Sequence, residues 1–503
     1  MLQKQYFPIL ALICLLCVTF IVHIRVLDVF FLSDDFGYIL LAREVSPVES
    51  LKLFFTENDL GSGKGLFRPL VDIAFSVAYQ FFGFTAKGYH AISLILHTLI
   101  AWLGYLLILR ISKNHAFGFF SALLFIIYPM NLETIAWLSN WTTLVSSLFI
   151  MLSLFLYWEY QRKRNKLYFA ASLLSVLISL LAKETAIIIP IAFILLDLAK
   201  HQVNKKYTKH IFKYWPNYVW SAIVVVGFFI WRFLMLMGKG GYRTEAGESI
   251  YKNISWNEIF SYWMTIKLFF LNFLNDQVFA FQNRIEIIYW GVGILLCILF
   301  ILYIFNKNKT IPAAWIGFGF IWIYLFALPA FNLINNIHPD LSSSRFLYLS
   351  SFGFCIVLTV LLLDCVHNQN KKLNYAKGII IGLFILSFSF FAYKNQVPWL
   401  EASAQVQFIG NQVQEQVDDP LENSKFYFKK LPDNWFGAYS LRNGIENYLL
   451  LMYDKPPGYL EAKKADRYTD KKKAKVNAAT FNENIYMFKY NEEKNILKKL
   501  YSL

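Results

Sequence analysis

Long apolar runs, each able to cross the ~30 Å hydrocarbon layer of a bilayer, recur along nearly all of this chain, and that recurrence limits what it can fold into. Eleven such spans are read at residues 7–27, 89–110, 115–136, 141–160, 167–182, 185–199, 216–237, 287–305, 311–331, 346–365 and 376–394. The composition agrees: 57% of the 503 residues are hydrophobic, 16% are charged, and Phe alone accounts for 49. A soluble domain carries about 25% charged residues, so this chain lacks the charge to clothe a water-facing surface. A polytopic α-helical membrane protein is expected. The net charge of +15 would otherwise suggest nucleic acid. In such a protein, excess Lys and Arg belong instead to cytoplasmic loops, and no nucleic-acid partner is expected.

The run from Phe7 to Leu27 is long, lacks a small-residue cleavage site and continues into Val29-Phe30-Phe31-Leu32. It reads as a retained first helix rather than a signal peptide. Cys14, Cys17, Cys297 and Cys355 fall inside apolar runs and Cys365 ends one, so all five are expected to be buried small hydrophobes.

The basic residues set the sides. Arg110/Lys113, Arg162-Lys163-Arg164/Lys166, Lys200 to Lys213, Lys307/Lys309 and Lys371/Lys372 all fall on one side, which is then the cytoplasm and holds the N-terminus. The expected location is a bacterial inner membrane. The first loop, 28–88, is long and external. The stretch 238–286 is also external, with Ile259 to Leu274 a candidate interfacial helix. Residues 1–394 form the transmembrane module. Residues 395–503, rich in Lys, Asn, Glu and Asp, read as a small external α/β domain with a helix near 399–416 and a strand at Phe426–Phe428. Lys471-Lys472-Lys473 reads as a solvated loop, and no repeat is visible.

Charged groups gather in the external segments. Ser33-Asp34-Asp35-Phe36 places two adjacent carboxylates where a helix leaves the membrane, either to stop the span or to act as a base with a companion that tunes it. Arg68, in Phe67-Arg68-Pro69-Leu70, offers a permanently charged fork suited to phosphate, with an ordinary surface charge as the alternative. His90 and His97 are seven residues apart, on one helical face. A histidine inside a bilayer is costly, so each is a functional candidate, with helix packing as the alternative. Glu133 follows Pro129-Met130-Asn131-Leu132, the Lys183-Glu184 pair sits between two apolar runs, where a plain hairpin turn is the alternative, and Arg345 opens the tenth span. The topology puts all of them at one depth. A transporter would bury its charges near the midplane on broken helices. An interfacial ring of carboxylates and cations fits instead an enzyme that meets a lipid-linked phosphate at the membrane surface.

In order and spacing, Asp34-Asp35-Phe36, Phe67-Arg68-Pro69-Leu70, Gly88-Tyr89-His90 with His97, Pro129 to Trp137, Lys183-Glu184-Thr185 to Asp197 and Arg345-Phe346-Leu347-Tyr348 resemble a known group. It is the GT-C integral-membrane glycosyltransferases, in the protein O-mannosyltransferase branch and its relatives with tetratricopeptide tails. The chain departs from those relatives at Tyr128, where they often carry His, at Asn140-Trp141, where they tend to carry Arg, and in a tail without the tetratricopeptide pattern. The resemblance implies a polyprenyl-phosphate-linked sugar donor, inverting transfer to a protein, lipid or glycan hydroxyl, and an external site. It makes Asp34 the base and Asp35 its companion. Arg68, Lys183, Arg345 and His90 are then expected around the donor phosphate, with His97, Glu133 and Glu184 supporting. A lipid phosphate leaves as an anion, so the site needs cations rather than a strong acid. A two-carboxylate hydrolase would instead place its acid and base across one bond, not adjacent in sequence. Some members of the group use a divalent metal. Here no spacing demands one, and no residue is assigned to it. The competing reading is a transporter or flippase for a lipid-linked glycan. The long first loop with its carboxylates, the scarcity of charge deep in the spans and the lack of pseudo-symmetric halves disfavour it.

Overall fold

The computed structural model describes residues 2–56, 65–202, 207–238, 285–306, 309–365, 371–464, 484–491 and 496–502, with isolated positions between 256 and 278 and at 494. The expected interfacial helix at 259–274, apart from isolated positions, and the Lys471–Lys473 loop lie outside those residues.

Helices occupy the apolar runs. α1 (Leu2–Val22) leads through a 3-10 turn into the first loop, which itself carries two helices, α2 (Asp35–Glu44) and α3 (Pro69–Phe82). There follow α4 (Ala86–Ser112), α5 (His115–Ile127), the short α6 (Leu132–Ala136), α7 (Trp141–Lys163), α8 (Lys166–Ala182), α9 (Ile189–Gln202) and α10 (Tyr207–Met235). The series ends with α11 (Ile285–Phe305), α12 (Ala314–Ala327), α13 (Ser350–Asp364) and α14 (Lys371–Lys394).

Not every run yields an unbroken crossing helix. Among the described residues, five stretches are long and apolar enough to cross: Ala86–Ser112, Leu138–Lys163, Tyr214–Met235, Ala314–Asn336 and Asn374–Gln416. A sixth is added if His115–Ile127 and Pro129–Ala136, bent by 55°, count as one. Other expected spans correspond to shorter apolar stretches among the described residues, Tyr6–Val22, Lys166–Ala182, Gly293–Phe305 and Ser350–Asp364, and in the expected sixth span a 3-10 turn, Glu184–Ile188, takes up the start of the run. The expected third span is therefore a broken helix. Pro129 has no N–H to continue the ladder, which leaves upstream carbonyls unpaired. They are satisfied from the side: Phe125 O accepts from Asn131 Nδ2 at 2.8 Å, and Ile126 O is shared by His23 Nε2 at 3.0 Å and His97 Nε2 at 3.3 Å.

Two tight hairpins use one device. Lys113 and Arg164 adopt left-handed φ of 61° and 60°, and the Asn that follows each caps the next helix, Asn114 accepting from Phe117 N and Asn165 from Leu167 N. The α7–α8 hairpin so formed is sewn together by serines. Ser146 Oγ lies 2.9 Å from Ser179 Oγ, and Ser153 Oγ lies 3.1 Å from Ser172 Oγ, the small-residue contact that lets membrane helices approach closely. The cysteine expectation holds in part. Cys355 and Cys365 are buried, but Cys14, Cys17 and Cys297 lie on outward faces of α1 and α11, because an apolar run buries only the face that meets other helices.

The expected boundary at 394/395 falls at the turn before α15 (Val397–Gln416). Beyond it a four-stranded sheet has the order β4-β1-β5-β6, with β1 (Ser424–Lys429) parallel to β4 (Leu460–Lys464) and to β5 (Ile485–Asn491). β6 (Ile496–Ser502) pairs antiparallel with β5. Phe426, Phe428 and Phe488 fill the sheet's buried face. α15 binds β6 through Gln412 and Gln416, whose side chains bond the backbone of Leu497. A small ribbon, β2 (Asn434–Trp435) with β3 (Ala438–Tyr439), and α16 (Ile445–Met452) separate β1 from β4.

Candidate active site

The ends of α1, α5, α8 and α10 and the starts of α2, α3, α7 and α13 meet at one end of the helical bundle, and the charged residues singled out above sit on these connections. Asp34 immediately precedes α2, without a capping hydrogen bond from its side chain, and Asp35 opens its first turn. Asp35 is buried and fully engaged: Oδ1 accepts from Ser139 N at 2.7 Å and Ser139 Oγ at 2.5 Å, and Oδ2 accepts from Leu32 N at 3.0 Å. Asp34 is only half-buried and accepts a single hydrogen bond, from Asn443 Nδ2 at 2.8 Å. Burial pushes the Asp35 carboxyl up to about 7, against the hydrogen bonds of Ser139 and Leu32 and with the help of the Asp34 charge. Burial also raises Asp34, opposed by Asn443, Arg345 and Arg442.

The break at Pro129 delivers Glu133. Its carboxylate accepts from Ser343 N at 3.2 Å, Ser344 Oγ at 3.3 Å and Arg345 N at 2.7 Å, and forms an ion pair with the Arg345 guanidinium. Arg345 in turn lies over the rings of Phe346 at 4.6 Å, Trp137 at 5.0 Å and Tyr439 at 5.5 Å. Glu133 thus organises the Ser343–Arg345 turn, and the arginine's aromatic bed holds its plane.

On the other wall, Arg68 precedes Pro69 at the start of α3 and reaches Glu184 Oε2 at 3.2 Å. Arg232 of α10 approaches the second oxygen of Glu184 at 3.6 Å. Burial disfavours the Glu184 carboxylate, but Arg68 and Arg232 outweigh it and hold its pKa below the usual value. Lys183 donates to Thr143 Oγ1 at 2.7 Å, with Nζ 5.8 Å from the centre of the Phe346 ring. Burial, then Arg68 and Arg345, bring the Lys183 ammonium down to about 7. Lys183 therefore feels both Arg68 and Arg345, and Arg345 feels Asp34. The two walls form one electrostatic unit.

The histidines stand apart. His97 is buried, bonded to Tyr348 OH at 2.7 Å and to the freed Ile126 carbonyl, so it mends the broken helix. His90 is also buried, against the backbone of Val29 but outside hydrogen-bonding geometry, and joins none of the cations. Ser139, Thr143, Arg232, Arg442 and Asn443 were not anticipated. Of these only Arg232 carried a signal, as a lone charge at the end of an apolar run. Among the described residues, no three His, Cys, Asp or Glu side chains converge to hold a metal ion.

Apolar helices with ion-paired carboxylates and cations gathered at one end define a polytopic membrane protein with a polar site where its spans emerge. Residues 69–395 match the family model described as "6-pyruvoyl-tetrahydropterin synthase related domain; membrane protein", and the chain belongs to that family. The chain is also similar to protein O-mannosyl-transferases, as its motifs imply. It is 23% identical to one from Caenorhabditis elegans over 415 residues, 77% of this chain and 56% of that protein. It is 26% identical to the Tmtc1 protein of Drosophila melanogaster over 174 residues, 33% of this chain and 20% of that protein. The chain thus spans about half or less of these curated relatives. Among solved structures, ArnT from Cupriavidus metallidurans bound to undecaprenyl phosphate aligns with a TM-score of 0.46 and 11% identity, over 96% of this chain and 93% of that one.

Proposed function

We propose that this protein is an inverting glycosyltransferase that moves a sugar from a polyprenyl-phosphate donor to an acceptor hydroxyl at the external membrane face. The observation that carries the reading is Arg345, whose guanidinium lies 4.6 Å from the Phe346 ring that Lys183 approaches at 5.8 Å, and which donates to Tyr439 OH at 3.3 Å in the same segment as the Asn443 that holds Asp34. The Asp34 side is suited to a nucleophile's proton, the Lys183 side to an anionic leaving group. The names of the O-mannosyl-transferase relatives and the basic residues on the opposite ends of the helices support the same reading. In this division, the part from about residue 395 is an external domain.

The half-buried Asp34 takes the proton of the acceptor hydroxyl as its oxygen bonds to the anomeric carbon. The bond from that carbon to the phosphate oxygen breaks, and its electron pair leaves with the lipid phosphate. Asp35, held by Ser139 and Leu32, keeps its neighbour in place. Arg68, Arg232, Lys183 and Arg345 are the cations that stabilise the departing phosphate.

The test is transfer by purified full-length protein in nanodiscs, given polyprenyl-phosphate-linked hexoses and hydroxyl acceptors. Lipid-phosphate release coupled to glycoside formation is expected. Movement of intact donor across proteoliposomes without transfer would establish the transporter reading instead.

The pH dependence follows. Lys183 titrates near 7 and binds phosphate only when protonated, so donor affinity is expected to hold below that pH and to decline above it. Transfer also needs ionised Asp34, which gives a bell-shaped profile. Lys183→Arg stays charged throughout. It should abolish the alkaline decline in polyprenyl-phosphate binding measured by calorimetry from pH 6 to 9; an unchanged decline would remove Lys183 from the phosphate site.

A further inference from the structure

We propose that Tyr439, Arg442 and Asn443, contributed by the C-terminal part of the chain, are positioning residues of the site, with Asn443 fixing the Asp34 carboxylate and Tyr439 seating an arginine from each side of it. The proposal rests on the reading of Asp34 as the base. It goes beyond the family match, which ends at residue 395.

Two glycines press this segment onto the loops that precede α2 and α13. Gly437 has φ +90°, and a Cβ there would sit 2.1 Å from Asp340 O; Gly444 has φ +78°, and a Cβ there would sit 2.3 Å from Ser33 O. Neither conformation nor space admits an ordinary side chain. The segment therefore rests at one end on the loop that carries Arg345 and at the other on the loop that carries Asp34. Ser33 N donates to Ser440 O at 2.8 Å, Asn443 N donates to Ser33 Oγ at 3.3 Å, and the Phe36 ring stacks on Tyr448 at 4.5 Å.

Between these anchors lies Tyr439, buried against Trp137 at 4.7 Å. Its hydroxyl accepts from Arg345 Nη1 at 3.3 Å, and its ring carries the Arg442 guanidinium at 5.2 Å and that of Arg345 at 5.5 Å. Guanidinium stacking holds both cations without a competing carboxylate on the tyrosine. Asn443 donates from Nδ2 to Asp34 Oδ1; the flipped amide would set oxygen against oxygen, so the donor orientation is the one the carboxylate selects. Among the described residues nothing hydrogen-bonds Asp34 Oδ2, which is left for the acceptor proton.

The charged groups acting on Asp34 are its neighbour Asp35, the Arg345 guanidinium from the loop before α13 and the Arg442 guanidinium from the tail. Asn443 and Arg442 both favour the ionised form. Removing either should raise the pH at which Asp34 gives up its proton.

The experiment uses the full chain in micelles and reads Asp34 directly. A carbodiimide reacts with protonated carboxyls, and peptide mass spectrometry gives the pH at which half of Asp34 is labelled. Asn443→Ala is expected to move that midpoint, and the acid limb of transfer, up by about one unit, a tenfold loss of the ionised form well below it. Arg442→Gln should move both the same way but less, because an exposed charge is screened by salt. Both side chains are exposed, so the variants should fold, and Lys498→Gln, a surface cation on β6, is the control. Unchanged midpoints in both variants would overturn the proposal. Absence of transfer by the parent from every polyprenyl-phosphate donor would defeat the functional reading, while the labelling midpoint would still decide this one.

Discussion

Asp34→Asn is expected to reduce sugar transfer by about 10²–10⁴-fold, the usual contribution of a positioned base, while donor binding largely survives. The asparagine keeps the shape of the side chain and still accepts the Asn443 hydrogen bond through its oxygen, but it cannot take up a proton. Asp35→Asn acts differently, since Asp35 accepts from Ser139 N, Ser139 Oγ and Leu32 N. An amide nitrogen turned toward any of them would oppose a donor, so this variant should lose stability as well as rate. Transfer and donor binding, measured separately, distinguish the two. Parental transfer by Asp34→Asn with a dead but folded Asp35→Asn would exchange their roles, and full activity in both would move the base elsewhere.

Glu133→Ala should have the largest effect on stability, about 3–5 kcal/mol, the cost of breaking a buried ion pair on one side. The Glu133 side chain is 1% exposed and that of Arg345 14%; the residual exposure of the arginine argues for the lower figure. The loss also strands the N–H groups of Ser343 and Arg345. Denaturation in detergent micelles measures it. The double variant Glu133→Gln/Arg345→Met should recover part of the loss, because no charge is left buried without its partner. A cost under about 1 kcal/mol in Glu133→Ala would show that the turn holds itself.

Much of the helical fold was legible because an apolar run announces itself by length alone. α4 and α7 lie close to where composition places them. α2 and α3 were not legible: they are short and mix polar with apolar residues, so residues 28–88 read only as a long external loop. The bend at Tyr128–Pro129 was likewise hidden, since the proline was visible but the residues that mend the break, His23, His97 and Asn131, come from three segments. Within the site, of the charges that sequence singled out, Arg68 pairs with Glu184 and Glu133 with Arg345, while Asp34 and Lys183 lie on the connections beside them. His90 and His97 shared a helical face as expected, yet that face turns into the bundle rather than toward the cations. Asn443 had no signal, being a polar residue in a polar region whose partner lies in a distant loop.

The bond from Asn443 to Asp34 joins residues 409 positions apart. At a synthesis rate of roughly 5–20 residues per second, Asp34 leaves the ribosome about 20–80 s before Asn443 exists. Through that interval the chain can insert its helices and gather its cations while the carboxylate still lacks the amide and the Tyr439-borne arginine that complete its surroundings. The order of manufacture therefore keeps the last wall of the site for the end, and a chain that stops early carries the charges without the finished site.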